Sequence, residues 1–123
     1  MPDQKILIIS SAGSYAKFMM DCLAEAGYET FTVDLGENAL LMIQKLLPNL
    51  VILDWGLLSS TCLQMIRAIR AQEETARLPM LVLGTDISEE DVLAYLEAGA
   101  DICLAERLHP NVFVARVHAL LRR

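Results

Sequence analysis

Hydrophobic positions along this chain follow two alternating rhythms. Continuous apolar runs at Ile6-Leu7-Ile8-Ile9, Leu50-Val51-Ile52-Leu53 and Met80-Leu81-Val82-Leu83 read as strands covered on both faces. Between them, apolar residues recur every three or four positions, as they do on one face of a helix. Tyr15, Phe18, Met19, Cys22, Leu23 and Ala26 form the first stripe, which Gly27 closes. A weaker strand over 29–33 leads past Gly36 to a second stripe, in which Ala39, Leu40, Ile43, Leu46 and Leu47 are predicted to face inward before Pro48-Asn49 ends it. Cys62, Met65, Ile66 and Ile69 make a third. Ser88 followed by Glu89, Glu90 and Asp91 predicts an N-cap with an acidic first turn, opening a helix that reaches Ala98 and stops at Gly99. Ile102-Cys103-Leu104 is a fifth short strand, and a last helix starts near Pro110 and runs to Leu121.

Strand-helix alternation with short connections implies a parallel sheet with helices on both faces. Five such units suit the flavodoxin-like, doubly wound strand order 2-1-3-4-5, whose crevice lies at the carboxyl ends of strands 1 and 3. That order brings Ser10, Ser11 and Asp54 to one spot, with Gly84 and Glu106 flanking it. Asp54 is the residue that raises a question. It ends the apolar run Val51-Ile52-Leu53, and a carboxylate delivered there must meet water or a partner, because burying it unpaired is expensive.

Composition narrows the function classes. A chain of 123 residues is expected to form one domain over 1–123. The formal net charge of −6 argues against nucleic-acid binding by this domain. No apolar run approaches the ~18 residues of a membrane helix, and Pro2-Asp3-Gln4-Lys5 does not open a signal peptide, so a cytoplasmic place is expected. Cys22, Cys62 and Cys103 are odd in number and set in apolar patterns, which fits reduced core thiols and not a disulfide framework or a zinc site. His109 and His118 are isolated and are expected on the surface.

Three stretches carry a family resemblance: Lys5-Ile6-Leu7-Ile8-Ile9, Pro48-Asn49-Leu50-Val51-Ile52-Leu53-Asp54 and Leu96-Glu97-Ala98-Gly99-Ala100-Asp101. With them the chain resembles, over essentially its whole length, the receiver domain of response regulators in two-component signalling. The tail from Val114 to Arg123 is similar to receivers that precede a winged-helix DNA-binding domain, so the chain is expected to be a complete receiver or the N-terminal part of a longer regulator. The resemblance implies that Asp54 holds the position at which a histidine kinase deposits a phosphoryl group. That transfer needs Mg²⁺ and positive charge around the phosphoryl oxygens. Receivers meet the need with an acidic pair after strand 1, a Thr or Ser ending strand 4 and a Lys ending strand 5.

Here the matching positions depart from that pattern. The acidic pair is Ser10-Ser11, the hydroxyl position is Gly84, the Lys-Pro pair is Glu106-Arg107, and the aromatic switch position is Cys103. Mg²⁺ prefers carboxylate anchors, and serines offer neutral oxygens. A unit-charge contact near ~4 Å is worth roughly 4 kcal/mol at an effective dielectric of 20, and Glu106 reverses its sign. Thr85 is one residue beyond the hydroxyl position, and a shift of one residue points a strand side chain to the opposite face. The expectation is a degenerate receiver, without enzymatic activity, that works by protein–protein interaction and binds Mg²⁺ weakly or not at all. A working receiver still phosphorylated at Asp54, slowly or with an unusual metal site, is the alternative; in one version Glu106 helps Asp54 to hold a metal. A third reading takes Ser10-Ser11-Ala12-Gly13-Ser14 as a flavodoxin-like phosphate or flavin loop with Trp55 stacking on a ring, although a Ser-rich helix cap explains that loop equally.

Partners are expected to be a histidine kinase or a second copy. The resemblance points to the face of the fourth helix, fifth strand and fifth helix, where Val92, Ile102, Val112 and Arg116 are the candidate contacts. Trp55, Leu57 and Leu58, in the loop after Asp54, form a second candidate patch.

Overall fold

The computed structural model describes residues 4–10, 14–34, 39–54, 59–84, 87–104 and 109–122, apart from the side chains of residues 14, 15 and 59. Its strands are β1 (Lys5–Ser10), β2 (Glu29–Asp34), β3 (Leu50–Asp54), β4 (Met80–Leu83) and β5 (Ile102–Leu104). Its helices are α1 (Ser14–Glu25), α2 (Ala39–Leu46), α3 (Ser59–Ala71), α4 (Glu89–Ala98) and α5 (Pro110–Leu121). The strands form one sheet in the order β2-β1-β3-β4-β5, with every neighbouring pair parallel. The flavodoxin-like arrangement expected from the alternating pattern is the one observed.

The period of two along each strand divides the core into two layers. Leu7, Ile9, Val51, Leu53, Met80 and Val82 pack under α2, α3 and α4. Ile6, Ile8, Leu50, Ile52, Leu81 and Leu83 pack under α1 and α5, against Met19, Leu23, Phe113 and Val117. A strand that must satisfy both layers has no place for a polar side chain until it runs out of cover. This is why the central strands read as unbroken aliphatic runs.

Two residues of the predicted stripes do not face inward. Leu47 is 67% exposed, because α2 stops at Leu46 and Leu47 adopts a positive φ of 49° to turn the chain into Pro48. Its amide still bonds the Ile43 carbonyl at 2.9 Å, which closes the helix, but a leucine pays strain in that left-handed conformation. Ala26 is likewise exposed, since α1 ends one residue before it. The histidines are exposed as expected, yet both have work to do. His109 caps α5 by accepting from the Asn111 amide at 3.2 Å, and His118 Nδ1 meets the Tyr28 hydroxyl, joining α5 to the turn after α1. The three cysteines are free thiols, with Cys62 fully in the core.

The amino-terminal pole of the sheet is locked by side chains that bond backbone. Arg70 of α3 donates from Nε to the Gly99 carbonyl at 2.9 Å and from Nη1 to the Leu78 carbonyl at 2.7 Å and the Thr75 carbonyl at 3.3 Å. Its Nη2 meets Asp101 Oδ2 at 3.0 Å, and the same oxygen accepts from the Met80 amide at 2.8 Å. One guanidinium therefore ties α3 to the short 3-10 turn Glu73–Thr75, the start of β4 and the end of α4. Gly99 is required twice over. Its φ is 130°, and a Cβ there would lie 2.7 Å from Arg70 Cγ.

Two measurements check this account. Replacing Arg70 with Ala strands several carbonyls and Asp101 at once, so urea denaturation should show a loss of about 2–3 kcal/mol with an unchanged m-value. Burial, reinforced by the nearby Cys103, pushes the Cys62 thiol from 9.0 up to about 12. The folded state then holds that proton more tightly than the unfolded chain. The resulting stability is fully present below pH 9 and should be lost as pH rises toward 12, and Cys62→Ala should flatten that decline.

Candidate functional site

Period-two alternation that fills the α1/α5 layer with Ile6 and Ile8 carries Ser10 to the same face, and Leu50 and Ile52 do the same for Asp54. In register, Ile9 lies beside Leu53, so Ser10 and Asp54 end adjacent strands side by side. The Ser10 hydroxyl donates to Asp54 Oδ2 at 3.2 Å. Ser10 is 3% exposed and Asp54 is 6% exposed. This is a buried hydrogen bond, and it is part of the answer to how a carboxylate can end a buried strand. Among the described residues no buried side-chain nitrogen or oxygen lacks a hydrogen-bond partner.

Gly84 follows β4, whose Leu83 lies in register with Asp54, and the Gly84 amide donates to the Leu104 carbonyl at 2.9 Å. The backbone thus brings position 84 to the crevice rim without a side chain to act there. Cys103, beside Val82 in the β4–β5 register, points into the layer under α2, α3 and α4, away from the face that holds Ser10 and Asp54. Burial raises its thiol to about 11, so it is neutral and poorly nucleophilic at ordinary pH. Ser11, Trp55, Leu57, Leu58, Thr85, Glu106 and Arg107 lie outside the described residues.

The described donors do not fit a resident Mg²⁺. Ser10 offers one neutral oxygen, hydrogen-bonded to Asp54, and no group of three His, Cys, Asp or Glu converges among the described residues. A hard dication of this size needs near-octahedral oxygen ligation with carboxylate anchors.

The candidate surface residues divide by exposure. Val112 and Arg116 of α5 are exposed, whereas Val92 is half-buried and Ile102 packs partly into the α1/α5 layer. The sequence reading missed two exposed leucines of α4, Leu93 at 58% and Leu96 at 42%. They are three residues apart on α4 and share its outer side with Glu89, Glu90 and Glu97. Apolar residues at every phase of a ten-residue helix hide which side is covered, so only an unexpectedly apolar turnout of four residues, Val92, Leu93, Tyr95 and Leu96, signalled an excess. β5 itself is an uncharged edge strand, kept to three residues of intermediate burial.

Comparison with known proteins agrees with this geometry. The response regulator receiver domain family matches residues 6–118. The phosphate regulon transcriptional regulatory protein PhoB of Rhizobium meliloti is 31% identical over 119 residues, covering 97% of this chain and 52% of that protein. The DNA-binding response regulator MtrA of Mycobacterium tuberculosis is 32% identical over 120 residues, covering 98% of this chain and 51% of that protein. The chain therefore spans about half the length of these two regulators. Among solved structures, the chemotaxis response regulator CheY4 of Vibrio cholerae superposes with a TM-score of 0.84 at 25% identity, covering 96% of this chain and 98% of that one.

If the Ser10 hydroxyl helps to satisfy Asp54, Ser10→Ala should lower stability by about 1.5–3 kcal/mol in urea denaturation at neutral pH. Ser10→Asn, which keeps a donor, should recover part of that loss. An unchanged midpoint for Ser10→Ala would show that the bond contributes nothing.

Proposed function

The chain belongs to the response-regulator receiver family, and from that premise we propose that it is a degenerate receiver whose output does not depend on ordinary aspartyl phosphorylation. It is a signalling module of the two-component type, and its proposed work is to present a surface to a protein partner. The observation that carries the reading is the hydrogen bond from Ser10 to Asp54, formed where a receiver of ordinary pattern has a metal-binding carboxylate.

The chemistry follows from charge. A phosphoryl donor arrives negative, Asp54 is negative, and a cation is needed between them in the transition state. Mg²⁺, when a receiver holds it, supplies that neutralisation. In this chain Ser10 spends its proton on Asp54 Oδ2 and Gly84 has no side chain to hold a phosphoryl oxygen. Glu106 in place of Lys adds to the deficit in the same direction. Asp54 is then a rim carboxylate kept satisfied by neighbours, not a nucleophile in waiting.

For the partner, the surface of α4, β5 and α5 is favoured over the Trp55-Leu57-Leu58 patch. Acidic and apolar residues share the outer side of α4, and Val112 with Arg116 share that of α5, so two copies related by a two-fold axis could set α4 against α5 with opposite charges facing. A histidine kinase is the other proposed partner.

Acetyl phosphate with millimolar Mg²⁺ should leave the intact mass of the protein unchanged, and Ser10→Asp, Ser11→Asp and Glu106→Lys together should permit an adduct at Asp54. A stoichiometric adduct on the unaltered chain would establish the working receiver instead. Titration of Mg²⁺ followed by Trp55 fluorescence should not saturate below the millimolar range. Should sedimentation reveal a dimer, Val112→Glu should weaken it several-fold; an unchanged dimer would move the interface to the patch after Asp54.

A further inference from the structure

Tyr95 makes α4 an inverted helix. It is 5% exposed, while Leu93 and Leu96 on either side of it face outward. A surface helix ordinarily buries its leucines and leaves a tyrosine at the rim, where its hydroxyl finds water. Here the ring lies in the core layer with Cys62, Ile66, Ile69 and Val82, between α3 and the sheet. Its side chain shares that buried cluster with Cys62, Ile66 and Ile69 of α3. Cys103, small and contributed by the edge strand, packs against the same layer.

A second grip acts on the same helix. The Gly99 carbonyl, at the carboxyl end of α4, accepts from Arg70 Nε at 2.9 Å. Cys62 stands near the start of α3 and Arg70 near its end, so α3 holds α4 at two well-separated points. Sliding or rotating α4 would have to withdraw an aromatic ring from the core and break a charge-assisted bond together.

From this geometry we infer that Tyr95 is a latch: it fills, from α4, the space beside Cys103, fastens α4 to α3, and presents Leu93 and Leu96 in one fixed arrangement. The inference deepens the degenerate-receiver reading and rests on it, since a module uncoupled from phosphorylation needs a surface that does not change form. The leucines are outward because the tyrosine is inward.

The test uses the full chain. Amide relaxation dispersion, which senses microsecond-to-millisecond exchange, should be flat through α4 and β5 in the unaltered protein. Tyr95→Ala should introduce exchange there and leave α1 and β1 flat, and should lower the folding equilibrium constant on the order of a hundredfold or more. If that variant does not fold, Tyr95→Leu takes its place. Adding Cys103→Tyr to the Tyr95 variant should recover at least tenfold of the loss, because the new ring enters the vacated space. Pronounced exchange through α4 in the unaltered chain, or no recovery with Cys103→Tyr, would overturn the latch. No phosphoryl donor is present in these measurements, so an adduct at Asp54 seen by mass would remove the degenerate-receiver reading independently of them.

Discussion

The carboxylate at the end of β3 is the constraint around which this structure is arranged. β3 sits between β1 and β4, and all five of its residues, Asp54 included, are buried. A strand covered on both faces cannot present a charge at its end without also presenting something to meet it. In this chain the nearest answer is a neutral hydroxyl from the adjacent strand. A hydroxyl can satisfy the ground-state carboxylate by hydrogen bonding but brings no positive charge to it.

The two ends of the sheet are built differently, and the difference explains where chemistry could reside. At the amino-terminal pole, Arg70 and Asp101 bind the ends of α3, β4 and α4 into one body, and Asn49 exchanges bonds of 2.8 Å with the Lys5 backbone. Side chains there are consumed by backbone groups that the helices and strands leave unsatisfied. At the carboxyl-terminal pole, Ser10 and Asp54 end β1 and β3, and Gly84 follows β4. These positions lie outside the two aliphatic core layers that hold the sheet to its helices. A receiver can therefore keep its architecture while its pocket changes.

The α4–β5–α5 side follows a similar logic. Burying Tyr95 uses the space beneath α4, and the leucines that a core-facing stripe would have taken inward are left in water. An uncharged edge strand lies beside them.

Sequence alone determined the architecture. Short aliphatic runs bounded by turn residues read as strands buried on both faces, and their alternation with helix-period stripes leaves few topologies, so the sheet order, the capping of α4 by Ser88 and the end of α4 at Gly99 were all legible. The convergence of Ser10 with Asp54 was legible for the same reason, since strand order and period two place both at one crevice. Helical phase was not legible where apolar residues occur at every phase. The outward turn of Leu93 and Leu96 and the burial of Tyr95 were decided by packing against α3, and Leu47 by a backbone turn. The Arg70 clamp was invisible too, because its partners are carbonyls, which every residue carries and which only the assembled fold brings within reach of one guanidinium.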